Sequence, residues 1–235
     1  MTRTLSDADL AAAARLDPLL RQLAARRAPG TPAHGHGGAV ALVHLFGDEP
    51  DLVVTGPAAD AAVLVRDLEP EGAFSLPLGA APLLADLGLA ERTGWAFRWT
   101  ATAPAVPEPA AWLPESAHDE VRDLLAAGFP DASLPVGHGD VRRWAGLRRD
   151  GRLVAVAADA TLVPGLGFLA SIASHPDLRG TGAGLAVSAW ATAELVRNEG
   201  ACGLWHMSDN VAAVAVYDRL GYRDEHPMAV LERAT

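Results

Sequence analysis

The chain has 235 residues, about half of them apolar, with a formal net charge of -10 and no lysine. That length and apolar content allow a sizeable core in one large or two small domains. The acidic balance disfavours nucleic-acid backbones, which need a basic face, and is compatible with amine substrates or with simple solubility. The lack of lysine excludes a phosphate-loop lysine, a Schiff base and a pyridoxal anchor. A single cysteine, Cys202, excludes an intramolecular disulfide. The first residues lack a signal core and no apolar run is long enough to span a bilayer, so a cytoplasmic protein without membrane contact is expected.

Ser6 with Asp9 is a capping signature and predicts a helix over 7–27. A Gly- and Pro-rich loop follows over 28–38. Its two histidines, His34 and His36, have no companion cysteine or carboxylate and read as solvated, so no metal is expected. Ala39–Phe46 and 52–55 read as strands, with Gly47-Asp48-Glu49-Pro50 as their turn. Ala58–Leu68 reads as a helix, 74–76 as a short strand, 80–87 as a helix and 95–102 as a strand. A Pro-rich linker over 104–111 then predicts a division into domains 1–103 and 112–235. In the second half a helix is expected over 115–127 and a loop over 128–139. Strands at 142–149 and 152–158 flank Asp150-Gly151, the strongest hairpin signal in the chain.

A strand over 167–173 then meets a glycine-rich turn that opens a helix over 182–197, in the run Ile172-Ala-Ser-His-Pro-Asp-Leu-Arg-Gly-Thr-Gly-Ala-Gly184. Such a junction presents unpaired backbone N–H groups at the positive end of a helix and suits a phosphate or pyrophosphate. The dinucleotide pattern wants glycines at offsets 0, 2 and 5. Counted from Gly180 the third position is Leu185, and from Gly182 it is Val187, so both registers fail. What remains is Arg179-x-x-Gly182-x-Gly184 after a strand. Further on stand a strand at Cys202–Met207 and the run Asn210-Val-Ala-Ala-Val-Ala-Val-Tyr217-Asp-Arg-Leu-Gly221-Tyr222. A last strand is expected over 227–232.

These two motifs, in this order, resemble those of the GNAT acyltransferase superfamily, over about residues 112–235. The resemblance implies a mixed α/β fold and acetyl-CoA or another short acyl-CoA as co-substrate. It implies that Arg179, Gly180, Thr181, Gly182, Ala183, Gly184 and Leu185 hold the pyrophosphate, with Arg179 either bonding a phosphate or shaping the turn. It places Ile172, Ala173 and Ser174 along the pantetheine arm, where a strand amide polarises the thioester carbonyl as an oxyanion hole does. Asn210 would reach the pantetheine or support a splay between two parallel strands, and Tyr217 would protonate the leaving thiolate. The general base is the open role. Residues 167–174 contain no carboxylate, and His206, Glu120, Asp131, His138, a water relay or capture of free amine all remain.

The halves also look related. The stretch from Leu87-Gly88 onward can be laid on the stretch from Leu220-Gly221 onward, which puts Leu84 at the place of Tyr217 and Pro77 at that of Asn210. Only Gly56-Pro57 stands where the first half would need the glycine turn. A degenerate N-terminal copy before an active C-terminal one resembles the glycine N-acyltransferase-like branch. The resemblance thus implies an N-acyltransferase that moves an acyl group directly from CoA to a small-molecule primary amine, as a monomer or homodimer. The alternative is a non-catalytic acyl-CoA-binding or regulatory module.

Overall fold

The structure, a computed structural model, describes residues 1–46 and 48–233; of residues 224 and 225 it describes the backbone alone. The chain folds as two compact units. One comprises Met1–Phe97, Trp205–Val211 and Glu225–Thr235, the other Arg98–Leu204 and Ala212–Asp224.

In the first unit, β1 (Arg3–Leu5) precedes two short helices, α1 (Asp7–Ala14) and α2 (Pro18–Ala25). The capping box forms: the Asp9 N–H donates to Ser6 Oγ at 3.1 Å and the Ser6 N–H to the Asp9 carboxylate at 3.2 Å. The single helix expected over 7–27 is broken, because Pro18 lacks an N–H and its ring blocks continuation. Proline suits a first helical position, so α2 starts there, with Asp17 Oδ1 accepting from the Leu20 N–H at 3.1 Å. Then come β2 (Ala33–His36), β3 (Ala39–Phe46), β4 (Glu49–Thr55), α3 (Ala58–Leu68) and β5 (Ala73–Pro77). Glu49 and Pro50 already pair with Phe46 and Leu45, so they belong to β4 and not to the expected turn, whose Gly47 lies outside the described residues. The helix expected over 80–87 is a 3-10 helix over Leu78–Leu87 with Pro82 inside it, and β6 (Leu89–Thr100) begins earlier than the expected strand.

In the second unit, β7 (Ala111–Trp112) and a 3-10 turn (Glu115–Ala117) lead into α4 (His118–Gly128). β8 (Arg143–Arg149) and β9 (Arg152–Asp159) form the predicted hairpin. Asp150 and Gly151 both have positive φ, +50° and +78°, as a type I′ turn requires. β10 (Gly167–Ser174), α5 (Ala183–Glu199), β11 (Cys202–Met207) and α6 (Val211–Arg219) follow. α5 buries Ala186, Val187 and Leu195 against Leu147, Leu169 and Leu204.

The two units repeat one pattern of pairing. β1 to β4 pair antiparallel in order and β4–β5 is parallel across α3. β7 to β10 likewise pair antiparallel in order and β10–β11 is parallel across α5. The last strand, β12 (Asp224–Arg233), does not close the second unit. It pairs antiparallel with β5, Met228 opposite Pro77 and Glu232 opposite Ala73. Residues 112–235 are therefore not one compact unit. The division falls within β6, between Phe97 and Arg98, and the Pro-rich segment lies inside the second unit.

Candidate functional site

The site begins with two irregularities of β10. Ala170 pairs with Ala158 of β9 and Ala173 with Val156, so Ser171 and Ile172 together stand opposite Ala157. This bulge turns Ser171 to φ +46°, a strained backbone for a residue with a side chain, and its hydroxyl donates to the Leu134 carbonyl at 2.8 Å. On the other edge the parallel ladder to β11 runs from Gly167–Cys202 to Leu169–Leu204 and ends, while β10 continues to Ser174. The backbone of residues 170–174 on that edge takes no part in the β11 ladder. Such an edge can accept an extended, amide-bearing chain as a further strand would. Ile172 and Ser174 are half-buried along it and Ala173 is buried.

The strand then turns sharply. The His175 N–H bonds Val154 O at 2.9 Å, and Pro176–Leu178 make a 3-10 turn. The Thr181 N–H and Oγ1–H both donate to Leu178 O, at 3.2 and 2.7 Å. Gly180 and Gly182 have φ +79° and +83°, where side chains are disfavoured. Gly182 is the residue before α5, one place ahead of the helix proper, and no side chain caps the helix. The first-turn N–H groups of a 17-residue helix are thus left for a ligand or water.

Glycine at 184 has a different reason. It has no positive φ, and among the described residues a Cβ there would meet no atom within 4 Å; the same open space surrounds Gly180 and Gly182. At Gly167, by contrast, a Cβ would lie 2.7 Å from Leu195 Cβ, so that glycine serves packing. Neither backbone strain nor packing by this chain requires glycine at 184, and glycine in a helix is unfavourable. A ligand pressed against the first turn of α5 would require it. The glycine loop fits a pyrophosphate on this ground.

The remaining expected residues divide. Ala183 is buried in the core, so only its backbone is available to a ligand. Arg179 donates to the Gly128 carbonyl at the end of α4, at 3.1 Å, and so ties the turn to that helix. Sequence reasoning missed Arg149 and Glu108. Arg149 donates to Thr181 Oγ1 at 3.0 Å and to Thr181 O at 3.4 Å, while its Nε and Nη2 hold the Glu108 carboxylate at 2.8 to 3.3 Å. That pair braces the glycine loop and fastens the Pro-rich segment. The only sequence signal was the run of arginines in β8, which reads as solvated charge.

Tyr217 lies in the same unit as the loop, on α6. It is buried, with its ring 5.9 Å from that of Tyr222 at 61°, and burial pushes its phenol up to about 12. The next residue, Asp218, accepts from the buried Arg98 at 2.5 Å, and Arg98 also reaches Tyr222 O at 3.4 Å. Cys202 is fully buried, accepts from the Tyr222 hydroxyl at 3.1 Å and is likewise pushed up to about 12 by burial, which suits packing and not reactivity. Asn210 is exposed, donates its N–H to Met207 O at 3.1 Å and groups with the first unit. Among the candidate bases, Glu120 is clamped by Arg148 at 2.7 and 2.8 Å, which holds its carboxyl below the usual range. His138 Nδ1 accepts the Asp140 N–H at 3.2 Å, and the near-buried His206 has Nδ1 3.0 Å from Met207 O.

A bulged strand that parts from its parallel neighbour and runs into a glycine-rich helix start defines an α/β architecture that known proteins share. Residues 145–229 match the FR47-like protein family model. A GCN5-related N-acetyltransferase from Kribbella flavida superposes with a TM-score of 0.65 at 19% identity, covering 96% of this chain and 95% of that one. A GCN5-related N-acetyltransferase from Sphaerobacter thermophilus gives 0.59 at 16% identity, covering 98% and 94%. A tandem GNAT protein from the clavulanic acid biosynthesis pathway gives 0.52 at 16%, covering 100% and 99%. These likenesses establish the GNAT fold for this chain. A comparison with curated protein sequences found no match.

Proposed function

We propose that the protein is an N-acyltransferase that moves an acetyl or other short acyl group from CoA directly to a primary amine. The observation that carries this reading is Gly184, a glycine in the first turn of a helix with open space at its Cβ that a close ligand explains, after a strand whose free edge suits a pantetheine arm. The FR47-like match over 145–229 and the N-acetyltransferase neighbours support the same reading.

In this reading the amides of residues 180–185 bind the pyrophosphate and residues 172–174 pair with the pantetheine. A backbone N–H at the bulge polarises the thioester carbonyl. The amine nitrogen attacks the carbonyl carbon, the C–N bond forms, the C–S bond breaks, and the sulfur takes the Tyr217 proton. Burial sets the proton balance. A phenol at about 12 is a poor donor to a thiolate in water, but desolvation disfavours the charged thiolate as it does the phenolate. A thiolate leaving in desolvated surroundings would be more basic than in water and so a better proton acceptor for the phenol. Glu120 is spent on Arg148, so the amine is proposed to attack as free base, to shed the proton that its nitrogen still carries to solvent as the C–S bond breaks, and Tyr217 is proposed to regain its proton from solvent.

The first unit is proposed to be a degenerate copy. Its repeat of the strand pairing, and the tandem GNAT neighbour, support this. At Gly56 a Cβ would lie 2.5 Å from Gly38 O and 2.8 Å from Ala39 Cα, so the chain's own backbone fills the space that is open at Gly184. The test of the function is release of free thiol from acetyl-CoA with and without a panel of primary amines. Amine-dependent release supports transfer. Tight CoA binding without turnover of any amine would point instead to a binding or regulatory module.

A further inference from the structure

The first unit holds a carboxylate that its own fold does not need. Asp51 of β4 stands opposite His44 of β3, on the face of the strands away from α3, since Leu52 and Val54 pack on the α3 side. It is largely buried, and among the described residues its carboxylate has one hydrogen bond, from Ser75: Ser75 Oγ–H donates to Asp51 Oδ2 at 2.8 Å and in turn accepts from Trp95 Nε1–H at 3.0 Å. Among the described residues Asp51 has no cationic partner. Burial raises its carboxyl above the ordinary value, more than the serine bond lowers it. Keeping a half-desolvated charge without a counter-ion costs stability, and a structural role would be filled as well by a neutral residue.

What surrounds the serine relay gives the carboxylate a purpose. Trp95, Phe46 and Trp205 contact one another edge-on, with centroids 5.4 to 5.5 Å apart. Phe46 and Trp205 are only half-buried, whereas Trp95 is buried. Aromatic rings beside a carboxylate attract an organic cation twice, through the ring quadrupole and through the charge. The relay occupies Oδ2, and Oδ1 has no hydrogen-bond partner among the described residues. One open oxygen suits an ammonium, a point charge, better than a guanidinium fork that engages both.

We propose that the first unit binds an organic primary ammonium, with Asp51 as its counter-ion and Phe46, Trp95 and Trp205 as its apolar wall. The proposed site uses residues of the first unit alone, and it concerns the same chemical class as the acceptor of the proposed transfer.

The test titrates the full chain, without CoA, with 2-phenylethylammonium and with neutral 2-phenylethanol near pH 7.5, by calorimetry and tryptophan fluorescence. The ammonium should saturate, and the alcohol should bind at least about tenfold more weakly. Asp51→Asn keeps size and the serine bond while removing the charge. It should weaken the ammonium by about tenfold or more, leave the alcohol unchanged, and leave the melting temperature equal or higher. Equal binding of ammonium and alcohol by the native chain needs no variant and would overturn the proposal. So would unchanged ammonium affinity in a folded Asp51→Asn chain, or no saturation with either 2-phenylethylammonium or butylammonium up to about 10 mM. Because CoA is absent, none of these outcomes bears on the acyl-transfer reading.

Discussion

Replacing Gly184 by alanine should move stability and CoA affinity in opposite directions. Gly184 is the second residue of α5, and a Cβ there meets no atom of the described residues within 4 Å. Alanine is better than glycine in a helix interior by roughly 1 kcal/mol, and about half of that is expected in the first turn. For a chain of this size a gain of roughly 0.5 kcal/mol raises the melting temperature by about 1–2 °C. In the proposed site the same methyl would stand where the pyrophosphate meets the amides and would push it out of hydrogen-bond range. Losing one charge-assisted bond costs about 1.5–3 kcal/mol, which is roughly 10- to 150-fold in affinity. Thermal unfolding and calorimetric CoA titration of the same preparation read both effects. A stabilised variant with native CoA affinity would refute the placement of the phosphate, and a clearly destabilised one would refute the reading of open space at this position.

Tyr217→Phe should lower kcat on the order of 10²-fold with little change in CoA affinity, because the lost proton acts in the transition state; unaltered turnover with chemistry rate-limiting would make Tyr217 structural. Alkali should unfold the protein through the same residue. Tyr217 and Cys202 keep their protons to about 12 in the folded chain against ordinary values of 10.0 and 9.0, so above about pH 9 the folded state binds more protons than the unfolded one. Their contribution is complete below pH 9 and falls as pH rises towards 12. Urea unfolding from pH 8 to 12 should show a loss that is smaller by roughly 3 kcal/mol in Tyr217→Phe, and a flat profile for the native chain would contradict the burial of both groups. Titration should give one CoA per chain, since Gly38 and Ala39 fill the space beside Gly56; two equivalent sites would overturn the degenerate-copy proposal.

Local chemistry made much of the fold legible. The Ser6–Asp9 capping box, the Asp150-Gly151 turn and the glycine turn before α5 each rest on neighbours in sequence, and each forms. The break at Pro18 is equally local, but the apolar content on both sides hides it. The extent of β6 was not legible, since Leu89-Ala-Glu-Arg-Thr-Gly carries no strand alternation of its own and is held by its neighbours in the sheet. Arg149 illustrates the same limit at the site. Nothing near it in sequence says that it faces Glu108 and Thr181, 41 and 32 residues away.

The sequence by itself determined the glycine turn and the helix start proposed to bind the anion, because backbone amides at a helix start and the left-handed turns before it depend on a few consecutive residues, Arg179 to Gly184. Local periodicity and turn chemistry also marked most of the strands and helices, but not the short strands β1 and β7, nor β2, which lies inside the expected loop over 28–38. Only the tertiary structure decided which strands pair and which charges meet. The end of the β10–β11 ladder at Leu169–Leu204, the bulge at Ser171 and the pairing of β12 with β5 are contests between distant segments. The isolation of the Asp51 carboxylate is of the same kind. Burial, and the lack of a cation among the described residues around it, are properties of everything packed there, and no window of sequence contains them.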